Sequence, residues 1–425
     1  MTLHLACDND IYPPLFGATQ RLFGLARGMA TRLDVRALCV VPNRSRGAAA
    51  ERVSNVEIRR VRSWHTSVAW WLERAGLAPL FTAEAGHRRR AGAYRAVLGG
   101  SPDVLLCDLG LTGLFPGAER ALRVYHAQNV EAESWRAVAP RVWGRERWAA
   151  RLEEMERRAV RESDCCVACT EADAATLRSR YGARDVIVAG NGYDETSIAP
   201  ASAQARASAR AALGIAPDAY VAAFVGGDWA PNHEALDWLA REVMPGLAGE
   251  GFVLLAAGAV AQRLGGRSEP WLVARQATPD LGAILAAADA GLNPVTSGGG
   301  SNVKLPTYLA AGLAVLSTLF GLRGHAPLAG EVICVERGAF ADALRRRPRG
   351  WAARNVPPPP ALADLAWGTI GARLADSLAT RAAVAAIARR TPDQRGPGTP
   401  AERELGTPDE RGPGTPAERS SAGCQ

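Results

Sequence analysis

Gly291-Leu292-Asn293-Pro294-Val295 runs through Thr296 into Ser297-Gly298-Gly299-Gly300-Ser301-Asn302-Val303-Lys304, and a helical pattern covers Val303–Ala311. A short apolar strand that empties into glycines and then into a helix is one step of a parallel α/β unit. Val315–Thr318 reads as the next strand. Lysine and arginine together number 50, and Lys304 is the one lysine among them. An arginine-biased genome explains the arginines; either one lysine codon survived in it, or this position needs an ammonium. An ammonium is a compact point charge on a flexible stem, and a guanidinium is a planar fork. Glycine backbone N–H groups, a helix start and a point cation together suit a phosphate or diphosphate.

Outward from this stretch the same alternation recurs. In the second half, Tyr220–Val225 and Phe252–Ala257 read as strands, Glu234–Val243 and Leu281–Ala288 as helices, and Val332–Val335 as the last strand. In the first half, Leu3–Cys7, Val35–Val41, Val104–Cys107, Val124–His126 and Cys165–Thr170 read as strands, with a charged helix over Trp143–Glu162. Continuous apolar strands spaced by helices predict parallel sheets covered on both faces. The expected fold is therefore α/β with two Rossmann-like domains, 1–195 and 196–350, facing across a cleft. Pro357–Pro360 precede a helix expected over 361–390 that packs back on the first domain. From Thr391 the chain repeats at a period of 16 residues, rich in Pro and Gly and without an apolar face, so 391–425 reads as a disordered tail.

The 425 residues suffice for two domains, and with 48% hydrophobic residues each can bury a core. No apolar run approaches the roughly 20 residues of a membrane span, and the N-terminus has no basic leader. The eight cysteines lie mostly in apolar strands, and Cys166-Val167-Ala168-Cys169 lacks a partner pair at zinc spacing, which fits a reduced, cytoplasmic protein. The net charge is +7, and residues 1–100 hold more than twice as many arginines as acids. That imbalance suits an anionic membrane surface or anionic acceptors as well as an ordinary solvated face. Trp70-Trp71-Leu72, set between Arg62 and Arg74, is either core or a peripheral contact with the inner face of a membrane. Nucleic acid is not an expected partner.

Several polar loops follow strands, where α/β proteins bind ligands. Gly17 sits between a Pro-Pro loop and a helix, as a turn residue or as a backbone that approaches a ligand. His126 closes a strand, as a structural histidine or a substrate contact. Gly226-Gly227-Asp228-Trp229-Ala230-Pro231-Asn232 ends a strand, with Asn232 suited to cap the following helix. Asp8-Asn9-Asp10 has the D-x-D spacing of some metal sites, but its place at the first strand argues against that use.

In order, these pieces resemble the retaining glycosyltransferases of family 4, which have the GT-B fold. The matching segments are Asp10–Gly17, His126 with Asn129, Ser163-Asp164 leading to Thr170–Asp173, Asn191-Gly192-Tyr193-Asp194, Phe224-Val225-Gly226 with Trp229, Pro231 and Asn232, Asp289–Pro294, the glycine loop, Tyr308–Leu313, Thr318 and Gly321–Gly324. They cover about residues 1–375. The resemblance implies transfer of a sugar from a nucleotide-diphosphate donor, with retention and no required metal or other cofactor, to a glycan, lipid or small-molecule acceptor. Lys304 and His126 would be the catalytic residues, Lys304 on the diphosphate and His126 on the donor sugar. Gly17, Gly226, Asn232, Ser301, Asn302, Lys304 and Thr307 would bind the donor.

One departure matters. The family usually carries two glutamates flanking this loop, at places that fall on Gly299 and Thr307. The second grips the donor ribose, a charged hydrogen bond of about 1.5–3 kcal/mol, and Thr307 offers a short hydroxyl. Ala314, where the family commonly has proline, is a milder difference. Thr307 therefore keeps a second reading open, a catalytically silent GT-B protein that binds a nucleotide or a partner enzyme.

Overall fold

The computed structural model describes residues 1–138, 144–276 and 280–389; the repeat tail read at 391–425 lies outside them. The chain divides into two compact units, Met1–Ala382 and Ala383–Gln425, and both sheets belong to the first. Fourteen strands are present among the described residues: β1 Thr2–Cys7, β2 Asp34–Pro42, β3 Ala50–Val53, β4 Val56–Ser63, β5 Val104–Asp108, β6 Leu122–His126, β7 Cys165–Ala168, β8 Val186–Val188, β9 Tyr220–Val225, β10 Phe252–Ala257, β11 Leu272–Arg275, β12 Ala290–Asn293, β13 Ala314–Ser317 and β14 Ile333–Cys334. The first sheet runs β3-β4-β2-β1-β5-β6-β7-β8 and the second β11-β10-β9-β12-β13-β14. Every pair is parallel except β3–β4.

The central strands are buried on both faces, as their unbroken apolar sequences require: β5, β7 and β12 are buried throughout, and β9 and β10 nearly so. The strands that sequence reading did not find lie at sheet edges or alternate. In β4 the buried residues Val56, Ile58 and Arg60 alternate with partly covered Glu57, Arg59 and Val61. Its hairpin with β3 turns through Ser54 and Asn55, at φ 48° and 66°, the left-handed pair a two-residue hairpin turn needs. β8 and β11 are short edge strands.

Two helices differ from expectation. The helix after β9 is Ala230–Trp238, not Glu234–Val243; Pro231 enters its first turn, where a missing N–H costs nothing. Asn232 is therefore inside the helix and does not cap it. The terminal helix is broken, with Pro360–Ala363 and Trp367–Ala388 separated by a bridge between Tyr193 and Ala366. Trp367 is 2% exposed, and its ring lies where a Cβ on Gly24 would come within 2.4 Å. Gly371 meets Gly28 closely enough that a Cβ on Gly371 would sit 2.6 Å from the Gly28 Cα. The final helix thus packs on the helix Gly17–Met29, glycine to glycine, and Arg381 fastens it through two hydrogen bonds to Asp185. Among the described residues no helix is long and apolar enough to cross a membrane.

Because Trp367 fills the notch left by Gly24, Trp367→Ala is expected to lower unfolding free energy by about 3–5 kcal/mol. Urea denaturation of the full chain checks this.

Candidate functional site

The glycine loop between β12 and the helix Lys304–Ala310 is held mainly by its carbonyls, with Asn302 Nδ2 donating to Gly321 O at 3.2 Å and Ser301 Oγ 3.4 Å from Cys169 Sγ. Arg323 donates from Nη2 to Gly299 O at 2.7 Å and from Nε to Gly300 O at 2.6 Å. Asn191 Nδ2 donates to Ser301 O at 2.8 Å, His325 Nε2 to Asn302 O at 2.8 Å, and the Thr307 hydroxyl to Val303 O at 2.8 Å. Five consecutive carbonyls are thereby turned to the protein. Among the described residues, no N–H from Gly298 to Lys304 donates to a protein acceptor. Gly300 is buried and the rest of the loop is part-exposed, and a run of unspent donors beside spent acceptors is a place for an anion. The helix behind it is only seven residues long, so its dipole contributes less than the sequence suggested, and the loop N–H groups carry the site.

The glycines are required by space. Gly300 has φ +56°, and a Cβ there would lie 2.7 Å from Asn129 Oδ1 and 2.8 Å from Gln128 O; one on Gly299 would meet Asn129 and Ser134 at 2.8 Å. A glutamate at 299 does not fit this packing. The loop therefore rests on the segment that follows β6.

Lys304 extends over the Phe224 ring, 5.4 Å from its centroid, and Nζ donates to Asn232 Oδ1 at 2.7 Å. Asn232 in turn donates to Gly227 O at 3.1 Å and lies over Gly226, where a Cβ would be 3.0 Å from its Cγ. Burial pushes the Lys304 ammonium down to about 8, with no neighbouring charge contributing. Its helix is fixed by Tyr308, whose ring lies against Gly291 and whose hydroxyl accepts from Val225 N at 2.9 Å. Gly17 faces Val303, with 3.8 Å between a Cβ position and Val303 Cγ2. So Gly226, Asn232 and Lys304 form one cluster, with Gly17 beside Val303, while the Ser301 and Asn302 side chains turn to Cys169 and Gly321 and offer the site their backbone. Thr307 lies one helical turn behind Val303, 6% exposed. It lines a crevice of about 70 Å³ with Phe23, Arg27, Asp194 and Trp367, and ligand pockets span roughly 300–1,000 Å³.

His126 is placed differently. It is 1% exposed, and both ring nitrogens are engaged: Nε2 accepts from Arg21 Nε at 3.1 Å and Nδ1 donates to Asp108 at 2.6 Å. Burial, helped by Arg21, holds its pKa below the usual value against the pull of Asp108. In this structure the ring presents no free polar atom to a sugar; it props Arg21, which also donates to Gly190 O and Asn191 Oδ1. His126 is linked to the glycine loop through Arg21 and Asn191. Asp8 and Asp10 do not act as a pair. Asp10 is bound to buried Arg60 at 2.7 Å, while burial and Asp108 raise Asp8 to about 6. Burial likewise raises Glu131 to about 8. Among the described residues no group of three metal-ligating side chains is assembled.

Arg21, Asn191, Arg323 and His325 join the site only in the structure. Asn191 and Arg323 lie in recognisable segments, but carbonyl anchoring over more than a hundred residues, as for Asn191 and Ser301, leaves no spacing in the sequence.

No family model matches the chain, and no curated protein sequence matches it. Solved structures do. Sucrose-phosphate synthase from Thermosynechococcus elongatus matches with TM-score 0.62 and 15% identity over 91% of this chain and 97% of that one. WaaG, a glycosyltransferase involved in lipopolysaccharide biosynthesis, matches with TM-score 0.55 and 18% identity over 90% and 99%. HepE from Anabaena, in complex with UDP-glucose, matches with TM-score 0.51 and 14% identity over 91% and 98%. The chain has the GT-B fold. Within a GT-B protein the glycine loop lies at the carboxyl end of β12, against the carboxyl ends of the first sheet, where open α/β sheets bind ligands.

Arg323→Lys leaves the charge but cannot reach both carbonyls in one plane. It is expected to weaken pyrophosphate binding about tenfold, consistent with one charged hydrogen bond lost, as read by calorimetric titration.

Proposed function

We propose that this GT-B protein is a retaining glycosyltransferase of the hexosyl-transferring kind, acting on a nucleotide-diphosphate sugar without a metal. The observation that carries the reading is the glycine loop with five anchored carbonyls and unspent N–H groups, next to a half-buried lysine whose only hydrogen-bond partner among the described residues is a neutral amide. The fold supports it, and the complex of HepE with UDP-glucose shows such a donor in a protein of similar architecture.

In this reading the loop N–H groups and Lys304 take the diphosphate. As the bond between the anomeric carbon and the phosphate oxygen breaks, negative charge grows on that oxygen, and fixed donors in a dry site stabilise it. The acceptor hydroxyl attacks the same face; its oxygen forms the new bond to the anomeric carbon and its proton passes to the departing phosphate. Asn232 aims the ammonium. Gly17 lets the first half approach Val303. The His126–Arg21–Asn191 chain steadies the loop through Ser301. The crevice at Thr307 is too small for a nucleoside, so donor entry requires the two sides of that crevice to part.

Thr307 also supports the second reading, a silent GT-B protein, because its hydroxyl is already given to Val303. Thr307→Glu separates them: a large gain in turnover marks a weakened enzyme.

Titration of UDP, GDP, ADP and TDP without metal is expected to find one binder, lost in Lys304→Ala. Binding of none sinks the proposal. An ammonium at about 8 loses its proton above that pH. An anion that binds only the charged form therefore holds constant affinity from neutral pH to about 8 and weakens by about tenfold per pH unit beyond it. Since burial opposes the charged form in the folded protein, Lys304→Met is expected to raise thermal stability at neutral pH while abolishing nucleotide binding.

A further inference from the structure

The helix Trp64–Arg74 buries Thr66 and Ala69 against the first sheet and leaves an opposite face bare. Trp64, Val68 and Trp71, spaced i, i+4 and i+7, are 56%, 46% and 65% exposed, and Leu77 just past the helix is 60% exposed. Single exposed apolar residues are ordinary, but a stripe of four with two tryptophans marks a surface that something covers. Its surroundings carry one sign. Across residues 43–90 the exposed charged residues whose side chains are described are Arg44, Arg46, Arg52, Arg62 and Arg89, and no carboxylate there is exposed. The helix's own acid, Glu73, is turned inward to accept from Leu80 N at 3.0 Å.

Two candidates for the cover fit poorly. A second copy would set arginines against arginines. Residues 390–425 of this chain contain one large apolar side chain, Leu405, and cannot fill the stripe. Indole rings at headgroup depth with guanidinium groups beside them suit a bilayer surface that carries anionic lipid. The placement is suggestive too. Trp64 follows directly on the last residue of β4, at the carboxyl edge of the sheet, and Leu15 and Phe16, 43% and 42% exposed, follow β1 at that same edge. Phe16 touches the Gly227 side of the seam, where a Cβ on Gly227 would be 3.1 Å away.

We propose that the Trp64, Val68, Trp71 and Leu77 face docks the protein on an anionic membrane, with Arg44, Arg46, Arg62 and Arg89 against lipid phosphates. Docking of this face holds whether or not the protein transfers sugar. It would present the carboxyl edge of the first sheet to amphiphilic acceptors. The test is flotation of the full chain with vesicles of phosphatidylcholine alone and of phosphatidylcholine with phosphatidylglycerol. The wild type is expected to float with the anionic vesicles and to be released by high salt. The double variant Trp64→Ser, Trp71→Ser is expected to partition at least about tenfold less, with an unchanged circular dichroism spectrum and unchanged nucleotide binding. Failure of the wild type to float, or flotation undiminished in the double variant, overturns the proposal. So does a concentration-dependent dimer that the double variant abolishes, which would make the face a self-interface. Lost nucleotide binding with vesicle binding intact would instead overturn only the transferase reading.

Discussion

Five successive carbonyls, from Gly299 to Val303, point into the protein and are each hydrogen-bonded there. Everything else about the site depends on that. A peptide plane is rigid, so fixing its oxygen inward turns the adjoining N–H outward. The loop becomes an array of donors without a side chain among them, and Lys304 adds a charge at its end. Most of the groups that fix it come from elsewhere in the chain, Arg323 and His325 after β13 and Asn191 from the end of the first half; Thr307 of the following helix is the near neighbour. The loop's shape is a property of the assembled fold.

Two features of the first half bear on this. Gly299 and Gly300 pack on Asn129 and Ser134 with no room for a Cβ, so the first sheet forms part of the loop's mould. A buried chain of hydrogen bonds, Asp108 to His126 to Arg21 to Asn191 to Ser301, then ties the strand ends of one sheet to the loop of the other. Burial, helped by Arg21, holds the His126 ring below its usual pKa against the attraction of Asp108. Lys304 is placed under opposite demands. Its buried position disfavours the very charge it would offer a ligand, and such tension between stability and site chemistry is common where a group waits for a partner.

Much of the architecture was legible from residues alone. β9 and β10 match their expected bounds because each is a continuous apolar run ended by glycine or alanine turns. The glycine loop and Lys304 stood out because glycine density and a lone lysine are local facts. β4 is not legible because Arg59, Arg60 and Arg62 break its apolar alternation, and Arg60 is buried because Asp10, Glu51 of the paired strand and the Tyr12 and Ala48 carbonyls take its guanidinium. For Asn232 the residue type leaves a helix cap and a donor contact both open; one turn of difference in the helix start removes the cap and sets its amide oxygen on Lys304.

The sequence by itself determined two parallel α/β sheets, the loop that follows β12 and the identity of its cation, since periodicity, glycine and charge act between near neighbours. The tertiary structure alone decided which carbonyls are anchored, that His126 supports Arg21 without reaching a ligand, that Asn232 aims Lys304, and that two tryptophans of one helix remain outside the core. Those outcomes rest on hydrogen bonds and burial between residues tens to hundreds of positions apart, and contacts of that range leave no pattern along a single chain.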